Sequence, residues 1–226
     1  MLPRTTLATA RIPEGGELTL VSHGQDFIIM LGRDELMGTR MQFSEEQLAE
    51  LTLAQLSAKA PRVLIGGYGM GFTYRAALAK LPERGEVVVA EIVPEILDWA
   101  QGPLAHLTGE TLSDPRGEVV ICDVAALIDD ANDGTCAKFD AILLDVDNGP
   151  DGIVRDPNDR LYTRTGLAKA REALRPGGIL AIWSAAPDHK FTQRVNGAGF
   201  DVEVREVRAR PNNKGPRHTI WFARKA

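Results

Sequence analysis

The chain has 226 residues, the length of one ordinary domain or of one domain with a small appendage. Its 26 basic and 31 acidic residues give a net charge of -5, which argues against a dedicated nucleic-acid coat, and 44% hydrophobic residues suit a soluble globular chain. A chain of this size buries roughly 70% of its unfolded surface, so neither a disulfide nor a metal is needed to fold it. The two cysteines, Cys122 and Cys136, form no CxxC pair, so no structural zinc site is expected, and unpaired thiols suit a reducing cytoplasm. Residues 1–16 hold Pro3, Pro13 and Glu14 without an apolar leader core, and no apolar run approaches the ~20 residues of a membrane span. A cytoplasmic protein without membrane contact is the expectation.

Residues 17–42 predict short strands. Glu17–Val21 alternates and Asp26–Leu31 is a compact apolar run, with turn chemistry at Gly24 and Gly32-Arg33-Asp34. A helix should follow, capped by Ser44 with Gln47 at the capping-box position, and Pro61 should close it. From residue 62 strands and helices alternate. Strands are expected at 62–65, 86–90, 118–121, 139–144 and 179–183, and helices at 72–81, 94–100, 124–130 and 163–174. Leu167, Ala170 and Leu174 recur at helical spacing before Pro176-Gly177-Gly178 stops the last of these helices. Such alternation predicts an α/β fold with a Rossmann-like, doubly wound, mostly parallel sheet. A helix at 188–196 and the segments 200–207 and 218–223 then suggest an antiparallel hairpin on the sheet edge. The expected division is a small N-terminal β unit over 1–43 and a Rossmann-like domain over 44–226. Self-pairing of the N-terminal hairpin makes a homodimer the expected assembly.

The sharpest motif is VLIGGYGMG at 63–71, where a first strand hands over to a first helix. Glycines there let the backbone turn tightly and approach a ligand. Gly67, Gly69 and Gly71 form GxGxG. The dinucleotide fingerprint GxGxxG would need its third glycine at position 72, which is Phe72, so an NAD-dependent oxidoreductase is disfavoured. Three acids end successive strands: Glu91, suited to a ribose diol; Asp123, suited to an adenine amine or to capping the next helix; and Asp145, near where the first and fourth strands should meet. The four histidines are scattered and read as surface or loop residues. Trp183 and Trp221 read as packing, and Trp99 is left without a ligand role. Seven basic residues between Arg205 and Lys225 face one acid, Glu206, and read as a solvated edge rather than as a nucleic-acid surface.

These motifs, with VVVAEIVPEI at 87–96, VVICDVAALI at 119–128, FDAILLDVDNGP at 139–150, LYTRTGL at 161–167 and LRPGGILAIW at 174–183, resemble the polyamine aminopropyltransferases, the spermidine and spermine synthases. The resemblance spans roughly residues 17–185 and implies the class I S-adenosylmethionine-binding fold. It implies that Gly66, Gly67, Gly69 and Gly71 line the donor's arm, that Glu91 holds the ribose hydroxyls, and that Asp123 and Val124 hold the adenine. It makes Asp145 the group that orients and deprotonates the attacking amine, with Asp147 and Tyr162 shaping the acceptor site. The donor would be S-adenosylmethionine or its decarboxylated form, the acceptor a small amine, and no metal is called for. The chain departs from the family on the acceptor side. Asn148 stands where the family's second acid would fall, the acid comes at Asp147 instead, and the Tyr-His pair before the first strand is replaced within Ser44-Glu45-Glu46-Gln47. Methyl transfer to a small molecule, or a non-catalytic nucleoside-binding role, are the alternatives these departures leave open.

Overall fold

The computed structural model describes residues 3–13, 15–108, 111–146 and 159–226. Its first layer is an antiparallel four-stranded sheet in the order β1-β2-β3-β4: β1 (Arg4–Arg11), β2 (Glu17–His23), β3 (Asp26–Leu31) and β4 (Asp34–Gly38). The sequence pattern leaves β1 unassigned because Arg4–Arg11 shows no apolar alternation and is mostly exposed. It is a strand because its backbone pairs with β2, from Arg4↔His23 to Arg11↔Glu17.

Helix α1 (Phe43–Leu53) leads into a seven-stranded sheet ordered β10-β11-β9-β8-β5-β6-β7. Strands β5 (Arg62–Gly66), β6 (Glu86–Glu91), β7 (Gly117–Ile121), β8 (Phe139–Leu144) and β9 (Leu174–Ser184) run parallel. The chain builds β5, β6 and β7 outward, then returns to lay β8 on the other side of β5. That reversal leaves a crevice at the carboxyl ends of β5 and β8, where α/β sheets bind ligands.

The period of two along each strand separates two apolar layers. Val63, Ile65, Val87, Val89, Ala141 and Leu143 face α1, α2 (Phe72–Lys80) and α3 (Glu95–Gln101). Leu64, Val88, Ile142 and Leu144 face α5 (Val124–Asp133), α7 (Arg164–Ala173) and α8 (His189–Gly197). The short helices α4 (Ala105–Thr108) and α6 (Asp159–Tyr162), with 3-10 turns at Thr39–Met41 and Thr111–Ser113, complete the described helical turns. Trp99 is buried in the first layer and Trp221 in the second, both as packing residues. No helix of the described residues is long and apolar enough to cross a membrane.

Three local expectations need correction. Pro176-Gly177-Gly178 lies inside β9 rather than between elements. Leu174 pairs with Phe139, and a register shift before Ala141 absorbs the proline and glycines as an irregularity. Ser44 does not cap α1, whose N-cap is Gln42 and makes no side-chain cap bond. Its hydroxyl is turned inward, accepting from Trp183 Nε1 at 3.1 Å and lying 2.7 Å from His218 Nδ1. His218 is accordingly no surface residue but a buried one on β11 (Lys214–Lys225). Ser44 Oγ accepts the indole N–H and shares a second hydrogen bond with His218 Nδ1, whose direction is set by the tautomer of the neutral imidazole. Burial lowers the His218 pKa, in keeping with that neutral form.

The basic tail is structural. Strand β10 (Phe200–Arg210) pairs with β11, and the turn between them holds Asn212 and Asn213 at φ 60° and 59°. Arg217 pairs with Glu206, Arg205 with Glu203, and Arg208 closes the turn on Asn213 and on the Gly215 carbonyl. Replacing Ser44 by alanine strands the buried indole N–H and imidazole nitrogen together, so a loss of about 2 kcal/mol is expected in urea denaturation.

Candidate active site

The carboxyl ends of β5, β6, β7 and β8 open into a cavity of about 430 Å³, within the range of small-ligand sites. The glycine loop forms its floor. Gly67 and Gly69 line it, both with left-handed backbone, at φ 86° and 55°. A side chain on Gly67 would stand 2.6 Å from the Asp145 carbonyl oxygen, and one on Gly69 would stand 2.7 Å from the end of Met37. Gly66 and Gly71 do not line the cavity. Gly66 ends β5 packed between Val124 and Leu144, and Gly71 starts α2 in left-handed conformation.

Glu91, at the end of β6, is buried and lines the cavity. Its Oε2 accepts the Tyr68 N–H of the glycine loop at 2.9 Å, and its Oε1 accepts the Val93 N–H at 2.9 Å. The carboxylate therefore fixes the loop while its remaining lone pairs face the cavity. Asp123 follows β7 and has two local partners. Its Oδ1 accepts from the Ala125 N–H at 2.7 Å as the cap of α5, and its Oδ2 pairs with the Arg160 guanidinium. It lines the cavity together with Val124, Cys122 and Ile121.

Asp145 follows β8 and accepts a 2.5 Å hydrogen bond from Thr73 Oγ1. Burial pushes its carboxyl up to about 6, although the Thr73 bond works the other way. Tyr162, in contrast, does not line the cavity. Its ring packs edge-on against Phe191, and its hydroxyl donates to the Val146 carbonyl at 3.3 Å, bracing the segment just after Asp145. Asp147 lies outside the described residues.

The roof was not legible as part of a site. Ile12, Pro13, Leu18, Ile29, Leu36 and Met37 of the four-stranded layer close over the glycine loop, and Trp183 adds an aromatic wall. The other residue that sequence reasoning missed is Glu45, which lines the cavity from α1 and is only 6% exposed. The signal was present. Glu45, Leu48, Ala49 and Thr52 recur at helical spacing and are all buried, so the acid sits on the inward stripe of its helix. Burial raises its pKa well above that of an ordinary glutamate, and the negative charges of Asp145 and Glu46 add to the shift. Around the cavity the described lining holds four carboxylates, Glu45, Glu91, Asp123 and Asp145, and no Lys, Arg or His.

No protein-family model matches the chain. It is 28% identical over 175 residues to the polyamine aminopropyltransferase of Mycobacterium tuberculosis, covering 76% of this chain and 31% of that protein. It is 30% identical over 149 residues to the polyamine aminopropyltransferase of Nitrosomonas europaea, covering 66% of this chain and 42% of that protein. The chain thus matches less than half the length of either relative. Among solved structures, spermidine synthase from Thermotoga maritima superposes with a TM-score of 0.75 at 19% identity, over 98% of this chain and 73% of that one. The chain has the spermidine synthase fold. Human methyltransferase-like protein 13, solved with S-adenosylhomocysteine, has a TM-score of 0.60 at 21% identity, covering 81% of this chain and 80% of that one. The chain thus shares its fold with both solved proteins.

The raised Asp145 pKa has a direct consequence for stability. The native state binds this proton more tightly than the unfolded chain, whose carboxyl has the ordinary value of 3.8. Its contribution is therefore complete at low pH and is lost as pH rises through about 6. Asp145→Asn removes the ionisation, so the variant should exceed the parent in stability by up to about 3 kcal/mol near pH 8. The gain should vanish by about pH 4, as read from denaturation midpoints across pH.

Proposed function

We propose that this protein moves the aminopropyl group of decarboxylated S-adenosylmethionine to a small amine. One observation carries the choice of donor: the described cavity lining holds four acidic side chains, one of them paired with Arg160 from outside the lining, and no cationic side chain. S-adenosylmethionine brings a carboxylate of its own, which such a lining would repel and no described lining side chain would pair. The decarboxylated donor carries only the sulfonium and an ammonium, both of which a negative cavity favours. The polyamine aminopropyltransferase relatives support the same class of reaction. A spermidine synthase of this fold has been solved with a transition-state analogue, AdoDATO.

In this reading Gly67 and Gly69 let the donor's arm pass against bare backbone, with Gly66 and Gly71 shaping the turn. Glu91 takes the ribose hydroxyls on its free lone pairs. Asp123 and Val124 receive the adenine, the aspartate already oriented by the α5 cap and Arg160. The sulfonium is a strong alkyl donor, so the protein's task is to align the nucleophile and remove a proton. The amine nitrogen attacks the methylene carbon next to sulphur. The N–C bond forms, the C–S bond breaks, and its electron pair returns to sulphur, leaving neutral methylthioadenosine. Asp145 accepts the amine's proton. Its carboxyl, raised by burial to about 6, is a stronger base than an ordinary aspartate yet still ionised at neutral pH. Tyr162 supports this segment through the Val146 carbonyl, and Asp147, the next acid in the sequence, is the acceptor-side acid that the family resemblance assigns. The open edge of β1, with Leu7 exposed, supports a homodimer as the working assembly, and a cytoplasmic location is part of the same reading.

Side-by-side calorimetric titration of S-adenosylmethionine and its decarboxylated form tests the reading. At least tenfold tighter binding of the decarboxylated donor is expected. Equal or reversed affinities would remove aminopropyl transfer and leave methyl transfer as the reaction. Gly67→Ala should abolish binding of both, because the added methyl group meets the Asp145 carbonyl.

A further inference from the structure

The cavity contains one polar group that no other described residue uses. Glu45 is 6% exposed, lines the cavity, and has its Oε2 buried without a hydrogen-bond partner among the described residues. Burying a carboxylate without a partner is costly, and such groups persist where a ligand completes them. The cations of α2 do not neutralise it: Arg75 is bound to Glu46 at 2.7 Å and Lys80 to Glu50 at 3.5 Å. His218, across from α1, is tied to Ser44.

Glu45 also stands with Asp145. Thr73 Oγ1 is 2.5 Å from Asp145 Oδ2, to which it donates, and 3.2 Å from the Glu45 carbonyl oxygen, so one α2 side chain spans both acids' anchoring points. Glu91 and Asp123, by contrast, have both carboxylate oxygens engaged within the protein.

We infer that Glu45 is a second acceptor-site residue, and that its carboxyl and that of Asp145 together cradle the attacking nitrogen of the amine substrate. This inference rests on the aminopropyl-transfer reading and deepens it. Two carboxyls that line one buried cavity and feel each other's charge do not both ionise readily, so at neutral pH the pair holds one proton and one negative charge. An entering ammonium passes one proton to Asp145, leaving a neutral amine and a fully protonated pair. The freed lone pair then attacks the donor carbon, and Glu45 keeps the nitrogen in line. The proton count closes: the pair gains one and the amine loses one. The departure at Ser44-Glu45, where the resemblance would put a Tyr-His pair, is thus a change of chemistry from neutral or basic groups to an acid.

The test uses protein saturated with methylthioadenosine, titrated by calorimetry with 1,4-diaminobutane and with n-butylamine. Glu45→Gln keeps the shape but puts an amide in place of one of the two carboxyls that share the proton and the negative charge, so amine affinity should fall tenfold or more while methylthioadenosine affinity stays within twofold. Glu45→Asp should recover part of the loss, which a purely structural role would not produce. Amine affinity within twofold of the parent in Glu45→Gln overturns the inference, as does a parallel loss of methylthioadenosine binding. If the parent binds methylthioadenosine but neither amine, the acceptor cradle fails while the nucleoside site stands. If the parent binds neither, the proposed function itself fails.

Discussion

The close approach of Gly67 to the Asp145 carbonyl governs the cavity. No side chain fits between them, so the loop after β5 and the segment after β8 lie against one another at the reversal of the sheet. The backbone reinforces the contact, since the Asp145 N–H donates to the Gly66 carbonyl at 3.1 Å and the Gly67 N–H to the Ala90 carbonyl at 2.9 Å. Glu91 then ties the loop to the end of β6 through Tyr68 and Val93. The glycine floor, Glu91 and Asp145 are held by one short set of backbone contacts, and a change in any of them moves the others.

Above this floor lies a layer with a different job. The four-stranded sheet presents Leu18, Ile29, Leu36 and Met37 to the cavity, and Met37 rests on bare backbone at Gly69. The roof excludes water, and exclusion of water strengthens every charge interaction beneath it. It is also why the Asp145 and Glu45 carboxyls resist ionisation. Two partly uncompensated acids in such a place lower the stability of the empty protein, a cost that functional sites commonly carry.

Much of this was legible from the residues alone because the signals are local. GxGxG reads as a loop wherever it follows a strand, and an acid at a strand's carboxyl end reads as a ligand-side group in an α/β sheet. Asp123 shows where such reading stops. Its capping role and its cavity role were both foreseeable, but its pairing with Arg160, 37 residues on, was not. Ser44 shows the opposite failure. Its type and position favoured a cap, yet Trp183 and His218, 139 and 174 residues away, offered its hydroxyl better partners.

The order of strands and helices, the glycine turn and the row of acids at strand ends were determined by the sequence, because periodicity of two or of 3.6 and the absence of Cβ atoms act within a few residues. Tertiary structure alone decided that β1 pairs at all, that the small sheet roofs the cavity, and that Glu45 and Asp145 line it together. Those outcomes depend on which apolar faces find each other over long stretches of chain, and on how much water is left around a charge once they have.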